Sequence, residues 1–145
     1  MALFPLRDTA RAMSQENVEI VRRGVEALAR NDWDTILAGC DPDVEWVEMP
    51  SLGPDVATYT GTEELRDAVQ SWTQKWTEYK LEVSRYAQAG DEVVVLSQER
   101  GRGTLSGVEV ERHLGQVFTL QDGKVVCVRL YGNWSEALEA AGLLE

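Results

Sequence analysis

Between Val108 and Leu120 the chain alternates without a break, placing Val108, Val110, Leu114, Phe118 and Leu120 on even positions and Glu109, Glu111, His113 and Thr119 on odd ones. A period of two sustained over that length is a strand of roughly 40 Å, apolar on one face and polar on the other. Such a strand needs neighbours on both edges and cover over its apolar face. The neighbours are legible. Lys80 to Ala87 and Glu92 to Arg100 alternate on either side of a Gly90-Asp91 turn, and Gln121-Asp122-Gly123-Lys124 turns the chain into a returning strand from Val125 to Tyr131. Gly101, Gly103 and Gly107 make a flexible corner before the long strand. Four strands in a meander are expected.

The cover comes from upstream. From Ser14 to Ala29, Val18, Val21, Val25 and Leu28 recur at helical spacing, and the pattern breaks at Asn31. Asp32 can cap a second short helix through Ile36, Leu37 and Cys40, closed by an Asp41-Pro42-Asp43 turn. Val44 to Glu48 alternates as a short strand that runs out at Pro50, and a loop then runs from Ser51 to Gly61. In a third helix, started near Thr62 with Glu63 and Glu64 in its first turn, Leu65, Val69, Trp72 and Trp76 draw one stripe, and the helix is expected to end near Trp76. A last short helix, capped by Ser135, stops at Gly142. Helix stripes and sheet face can only bury one another. The predicted fold class is therefore α+β: a cone-shaped, curved antiparallel sheet wrapped round three helices, with an internal pocket.

At 145 residues the chain fits one domain, expected over residues 13–145 behind a frayed leader at residues 1–12. A net charge of -11 argues against nucleic acid and acidic bilayers as partners. No apolar run approaches the roughly 20 residues of a membrane-spanning helix. Cys40 and Cys127 form no CxxC pair, and His113 is the one histidine, so neither a metal cluster nor a cofactor is expected. Buried free thiols and a cytoplasmic location fit that usage.

Side-chain direction selects the candidate site. The inward, even face of the long strand carries two polar exceptions, Arg112 and Gln116. On the short strand Glu48 shares its side with Val44 and Trp46, so it points where they point. An apolar wall strips water from a carboxylate and makes it a stronger base. Two states of Glu48 are open, a free base or an ion paired with Arg112. His113 sits on the outer face with Glu109 and Glu111, although a bulge at Gly115 would reverse that. Trp33, Trp46, Tyr59, Trp72, Trp76, Tyr79 and Phe118 are the aromatic candidates for lining a ligand pocket. Arg100 and Arg102, among glycines, read as a solvated edge.

The segments SQENVEIVRRGVEAL, DPDVEW, GTEELRDAV, SGVEVERHLGQVFTLQDGKVVCVRLY and EALEAAGL, in this order, resemble the SnoaL-like branch of the nuclear-transport-factor-2-like superfamily over residues 14–144. The resemblance implies the cone, and a superfamily that includes ketosteroid isomerases, polyketide cyclases, epoxide hydrolases and members without activity. Glu48-Met49-Pro50 is similar to the place where ketosteroid isomerases keep a proton-shuttling carboxylate, with Glu for Asp and one residue before the proline. Their second, protonated acid falls at Gln116, a weaker donor, which argues against steroid isomerisation. The Asp-Arg-Asp set of the epoxide hydrolases is not matched around Arg112, and Asn133 stands where many relatives carry Asp. The resemblance also implies a homodimer formed through the outer sheet face.

Two functions follow. In the first the chain is a cofactor-free isomerase, cyclase or lyase acting on a small, largely apolar molecule, with Glu48 as base and Arg112 and Gln116 donating to developing negative charge. In the second it is a non-catalytic small-ligand-binding or dimeric scaffold protein.

Overall fold

The computed structural model describes residues 6–143. Helix α1 (Leu6–Ala29) leads into α2 (Trp33–Ala38), strand β1 (Cys40–Glu48), a 3-10 turn (Pro50–Leu52) and β2 (Thr58–Thr60). Helix α3 (Thr62–Thr73) precedes β3 (Trp76–Ala89), β4 (Glu92–Gly103), β5 (Glu109–Gln121) and β6 (Lys124–Tyr131), and α4 (Trp134–Ala140) closes the chain. The first helix runs back to Leu6 rather than starting at Ser14, so part of the expected leader is helical, and residues 1–5 of that leader lie outside the described residues.

The six strands form one curved sheet in the order β2-β1-β6-β5-β4-β3. Its meander is antiparallel throughout, as expected, but β1 runs parallel to β6, so the sheet is mixed. That is a correction to the all-antiparallel sheet. β1 comes to β6 from a distant part of the chain, and only neighbours joined by a tight turn are obliged to be antiparallel. Alternation within β1 specifies its faces and leaves its direction open.

Register shifts bend the sheet. They fall at Thr77/Lys80 and Val83/Arg85 on β3, at Cys40/Glu45 on β1 and at Thr119/Leu120 between β5 and β6. The Asp41-Pro42-Asp43 turn is one of these irregularities, inside β1 rather than between elements; the Asp43 N–H donates to Asp41 Oδ1 at 2.8 Å. The β4–β5 ladder is unbroken from Arg102↔Glu109 to Glu92↔Thr119, so no bulge occurs at Gly115 and the even face of β5 stays inward.

The main core lies between that concave face and the helices, with Val21, Trp33, Leu65, Val69, Val93, Val95, Leu114 and Leu120 buried together. A second, smaller core lies on the opposite face, where α4 covers Val94, Leu96, Val117 and Tyr131. This is why Val93 to Leu96 is apolar without alternating: each face of β4 has a partner. Helix α4 seats at Gly115, where a Cβ would stand 2.6 Å from that of Ala137. Its cap is Asn133, whose Oδ1 accepts from the Glu136 N–H at 2.8 Å, not the expected Ser135. Asn133 thus has a structural task. Asp32 caps α2 as read from the sequence, accepting from the Thr35 N–H at 3.2 Å and its hydroxyl at 2.7 Å.

Helix α3 ends at Thr73, and Trp76 opens β3 opposite Gly103. The single helical stripe through Trp72 and Trp76 is therefore corrected. Pairing with β4 captures Trp76, and its ring packs over Gly101, where a Cβ would meet Trp76 Cε3 at 3.0 Å. The two indoles still meet, centroids 5.8 Å apart, across the helix-to-strand junction.

Candidate functional site

Two cavities open on the concave side of the sheet. The larger, about 600 Å³, lies under α1 and α2 and is walled by Val21, Val25, Trp33, Ile36, Phe118 and Val128. The smaller, about 250 Å³, lies beyond Trp46 and Gln116 and reaches the 3-10 turn, α3 and β4. Leu28, Trp46, Val69, Leu81 and Gln116 line both, so the two chambers share a wall. That volume is in the range of small-molecule sites.

The structure brings Glu48, Arg112 and Gln116 to the smaller cavity, together with Tyr59 and Trp72. Trp33 and Phe118 line the larger one, and Trp46 lines both. Trp76 lines neither, because its ring is taken up by Gly101. Trp33 is fixed by a hydrogen bond from Nε1 to Asn31 Oδ1 at 2.9 Å and by Arg66, 5.4 Å above its ring.

The partner of Arg112 is not Glu48. Arg112 Nε donates to Glu99 Oε2 at 3.1 Å, and Glu99 is 3% exposed. Glu99 Oε1 accepts from Trp72 Nε1 at 3.1 Å and from the Tyr79 hydroxyl at 3.0 Å. Arg112 Nη1 donates to the Leu52 carbonyl at 3.2 Å, and the guanidinium lies 4.3 Å above the Trp72 ring. A carboxylate buried this far persists as an ion only with such a set of donors around it. Burial, and after it the charge of Glu99, hold the Tyr79 hydroxyl well above the usual phenol range, so it stays protonated and donates.

Glu48 sits at the end of β1, half-buried, and its Oε1 accepts the Ala57 N–H at 3.1 Å while its own N–H donates to the Ala57 carbonyl at 3.1 Å. An ion pair between Glu48 and Arg112 is thereby overturned: the buried carboxylate opposite Arg112 on the next strand is already there. Tyr79, an aromatic candidate from the sequence, lines this smaller cavity, whereas Glu99 was not singled out. A signal for Glu99 exists, since counting by two from Val93 and Val95 through Ser97 puts it on the concave face, and the hairpin register sets it directly across from Arg112.

Two residues of the shared wall are unsatisfied. Trp46 Nε1 and Gln116 Oε1 are buried without a hydrogen-bond partner among the described residues. Buried polar atoms are nearly always paired, and leaving one unpaired costs about 1–3 kcal/mol.

His113 stays outside the cavities, stacked on Trp134 of α4 at 4.4 Å, with Nε2 3.3 Å from Gln98 Nε2. Arg100 and Arg102 pair with Glu111, Glu78 and Glu109 at an exposed edge. No group of three or more metal-ligating side chains occurs among the described residues. No helix among them is long and apolar enough to cross a membrane.

Cys40 and Cys127 are free thiols. Cys40 lines the larger cavity, and burial pushes its thiol up to about 11, from an ordinary value of 9.0. The folded state therefore keeps a proton that the unfolded chain has released. The stability this confers is complete below about 9 and is lost as the pH rises through about 11. Melting temperature is expected to fall over that window, and to fall less steeply in Cys40→Ala, measured by calorimetry across the range.

Among solved structures, a nuclear-transport-factor-2-like protein from Burkholderia xenovorans is 27% identical, with 88% of this chain and 96% of that one covered at a TM-score of 0.68. A putative SnoaL-like polyketide cyclase from Jannaschia is 19% identical over 100% of this chain and 99% of that one, TM-score 0.73. A protein of ketosteroid isomerase-like fold from Catenulispora acidiphila, in complex with trimethylamine, is 18% identical over 86% and 93%, TM-score 0.67. No curated protein matches the chain. The SnoaL-like domain matches residues 21–128, a stretch from within α1 to within β6 that supplies most of the lining of both cavities, and the chain belongs to that family within the nuclear-transport-factor-2-like superfamily.

Proposed function

We propose that this protein binds a small, largely apolar molecule whose one polar end both gives and takes a hydrogen bond. The observation that carries this reading is the pair of orphaned atoms in the shared wall, the donor Trp46 Nε1 and the acceptor Gln116 Oε1, between two cavities otherwise lined mainly by apolar side chains. A ligand that reaches both atoms removes two unpaired groups at once. Gln116→Leu should then raise the stability of the free protein by about 1 kcal/mol while weakening ligand binding tenfold or more, the sign of a residue kept for binding. The measurement is a thermal-shift screen of a metabolite library on both proteins, where a ligand at roughly a hundred times its Kd adds about 2.7 kcal/mol. A Gln116→Leu variant that is less stable, or that binds the same hits equally well, overturns the reading.

A second, finer reading has its own support. Glu48, Arg112 and Gln116 line one small cavity, the grouping that acid-base chemistry on a carbonyl compound would use. Here Glu48 takes and returns a proton, Arg112 and Gln116 donate hydrogen bonds to the substrate's carbonyl oxygen, and the reaction is an isomerisation, cyclisation or elimination without a cofactor. Glu48→Gln keeps the shape and the Ala57 contact, so it should abolish turnover of any substrate found while changing stability by less than about 1 kcal/mol. Full turnover in that variant would leave the pocket a binding site alone.

The homodimer remains part of the proposal, through the sheet face that α4 leaves uncovered. Sedimentation at the mass of a single chain at micromolar concentration would remove it. The free thiols support a reducing, cytoplasmic setting.

A further inference from the structure

The smaller cavity is lined by two cationic side chains, Lys75 and Arg112, and three carboxylates, Glu48, Asp55 and Glu99. Lys75 and Asp55 are exposed, and Glu48 is half-buried at the mouth. In the interior the charges are Arg112 and Glu99, in contact at 3.1 Å. A guanidinium facing a cavity is ordinarily an anchor for carboxylates. Here its charge is already balanced.

We propose that Glu99 is the residue that sets the charge specificity of this site: with Arg112 neutralised, the cavity takes the neutral carbonyl, amide or hydroxyl end of an apolar molecule and turns away a carboxylate of the same shape. The proposal rests on the small-ligand reading above.

The argument has three parts. Arg112 keeps the hydrogen-bonding capacity of a donor: Nε goes to Glu99 and Nη1 to the Leu52 carbonyl, and Nη2 has no partner among the described residues. It can therefore still serve a neutral acceptor oxygen. An anion placed at Nη2, however, feels the Glu99 carboxylate across the same guanidinium and Glu48 at the mouth, so the attraction it gains is largely cancelled while its hydration is lost in full. Finally, Glu99 is clamped by Trp72 and Tyr79 as well as by Arg112, so it does not swing aside to admit a competing anion. The whole chain, at -11, adds a repulsive field of the same sign.

The test compares two probes of one shape, 2-naphthamide and 2-naphthoate, titrated at neutral pH and read by calorimetry and by the fluorescence of the cavity tryptophans. The wild-type protein is expected to bind the amide at least tenfold more tightly than the acid. In Glu99→Gln, handled in the cold to keep it folded, the acid should gain roughly tenfold and the amide should change less than about threefold. A structural role alone would weaken both probes in parallel, and that outcome overturns the proposal. So does equal or tighter binding of the acid by the wild-type protein, a comparison that requires no variant to fold. Binding of neither probe removes the small-ligand reading itself, and the charge filter with it.

Discussion

Glu99→Gln is expected to destabilise the protein by about 3–5 kcal/mol, the largest effect of any conservative change in the candidate site. The substitution keeps the shape of the side chain and the acceptor for Trp72 and Tyr79, but it leaves the Arg112 guanidinium partly buried and without its counter-ion. Against a total stability of about 5–15 kcal/mol for a domain of this kind, that is a large fraction. A second change identifies the cause. If the loss comes from a stranded charge, pairing a Glu99→Leu change with Arg112→Met should recover most of it, because replacing both members of a buried ion pair by apolar residues is often neutral or stabilising. Denaturant melts of the single and double variants form the measurement. A Glu99→Gln protein as stable as wild type would mean that the carboxylate is not the ion that holds Arg112.

Gly132→Ala should cost about 1–3 kcal/mol or more, although it adds one methyl group. Gly132 follows β6, and its N–H donates to Ser51 Oγ at 2.8 Å. A Cβ there would stand 2.0 Å from the Ser51 carbonyl oxygen and 2.7 Å from its carbon, which are backbone atoms that cannot rotate away. The 3-10 turn must move, and with it the Leu52 carbonyl that receives Arg112 Nη1. Ligand affinity should therefore fall along with the melting temperature. Gly24→Ala supplies the contrast: nothing lies within 4 Å of the new methyl, and the position is inside α1. That change should stabilise by about 0.5–1 kcal/mol, since alanine replaces glycine in a helix interior. Opposite signs for one substitution at two glycines would show that close packing at the turn, not glycine's flexibility, is what Gly132 provides.

Much of the site was accessible from side-chain direction alone. The unbroken ladder between β4 and β5 left the even face of β5 inward, so Arg112 and Gln116 came to the cavities as their positions predicted. Glu48 followed Trp46 to the same cavity for the same reason. What alternation could not supply was the choice of partners. Glu48 and Arg112 share a cavity wall, yet Arg112 is held by the residue across from it on β4, at ladder distance. Which carboxylate wins is a matter of register between strands.

The errors at element ends have a common origin. Trp72 and Trp76 obey helical spacing, and the helix gave way before Trp76 because Trp76 and Thr77 pair with Gly103 and Arg102 of β4. The Asp41-Pro42-Asp43 turn became a kink inside β1 because Cys40 pairs with Val125 before the turn and Glu45 pairs with Cys127 after it. In each case a local preference met a long-range pairing, and the pairing satisfied more backbone groups.

Periods of two and of 3.6, the Asp32 cap and the Asp-Gly turn were enough to determine which faces are apolar, that a long sheet must close over helices, and which polar side chains are turned inward, because these follow from geometry within one element. The parallel direction of β1 beside β6, the second core under α4, the clamp of Trp72, Tyr79 and Arg112 on Glu99, and the orphaned atoms of Trp46 and Gln116 were decided only by tertiary structure. Each of those depends on the distance between residues far apart in the chain, and burial turns such a distance into free energy: it makes an unpaired atom costly and a paired charge durable.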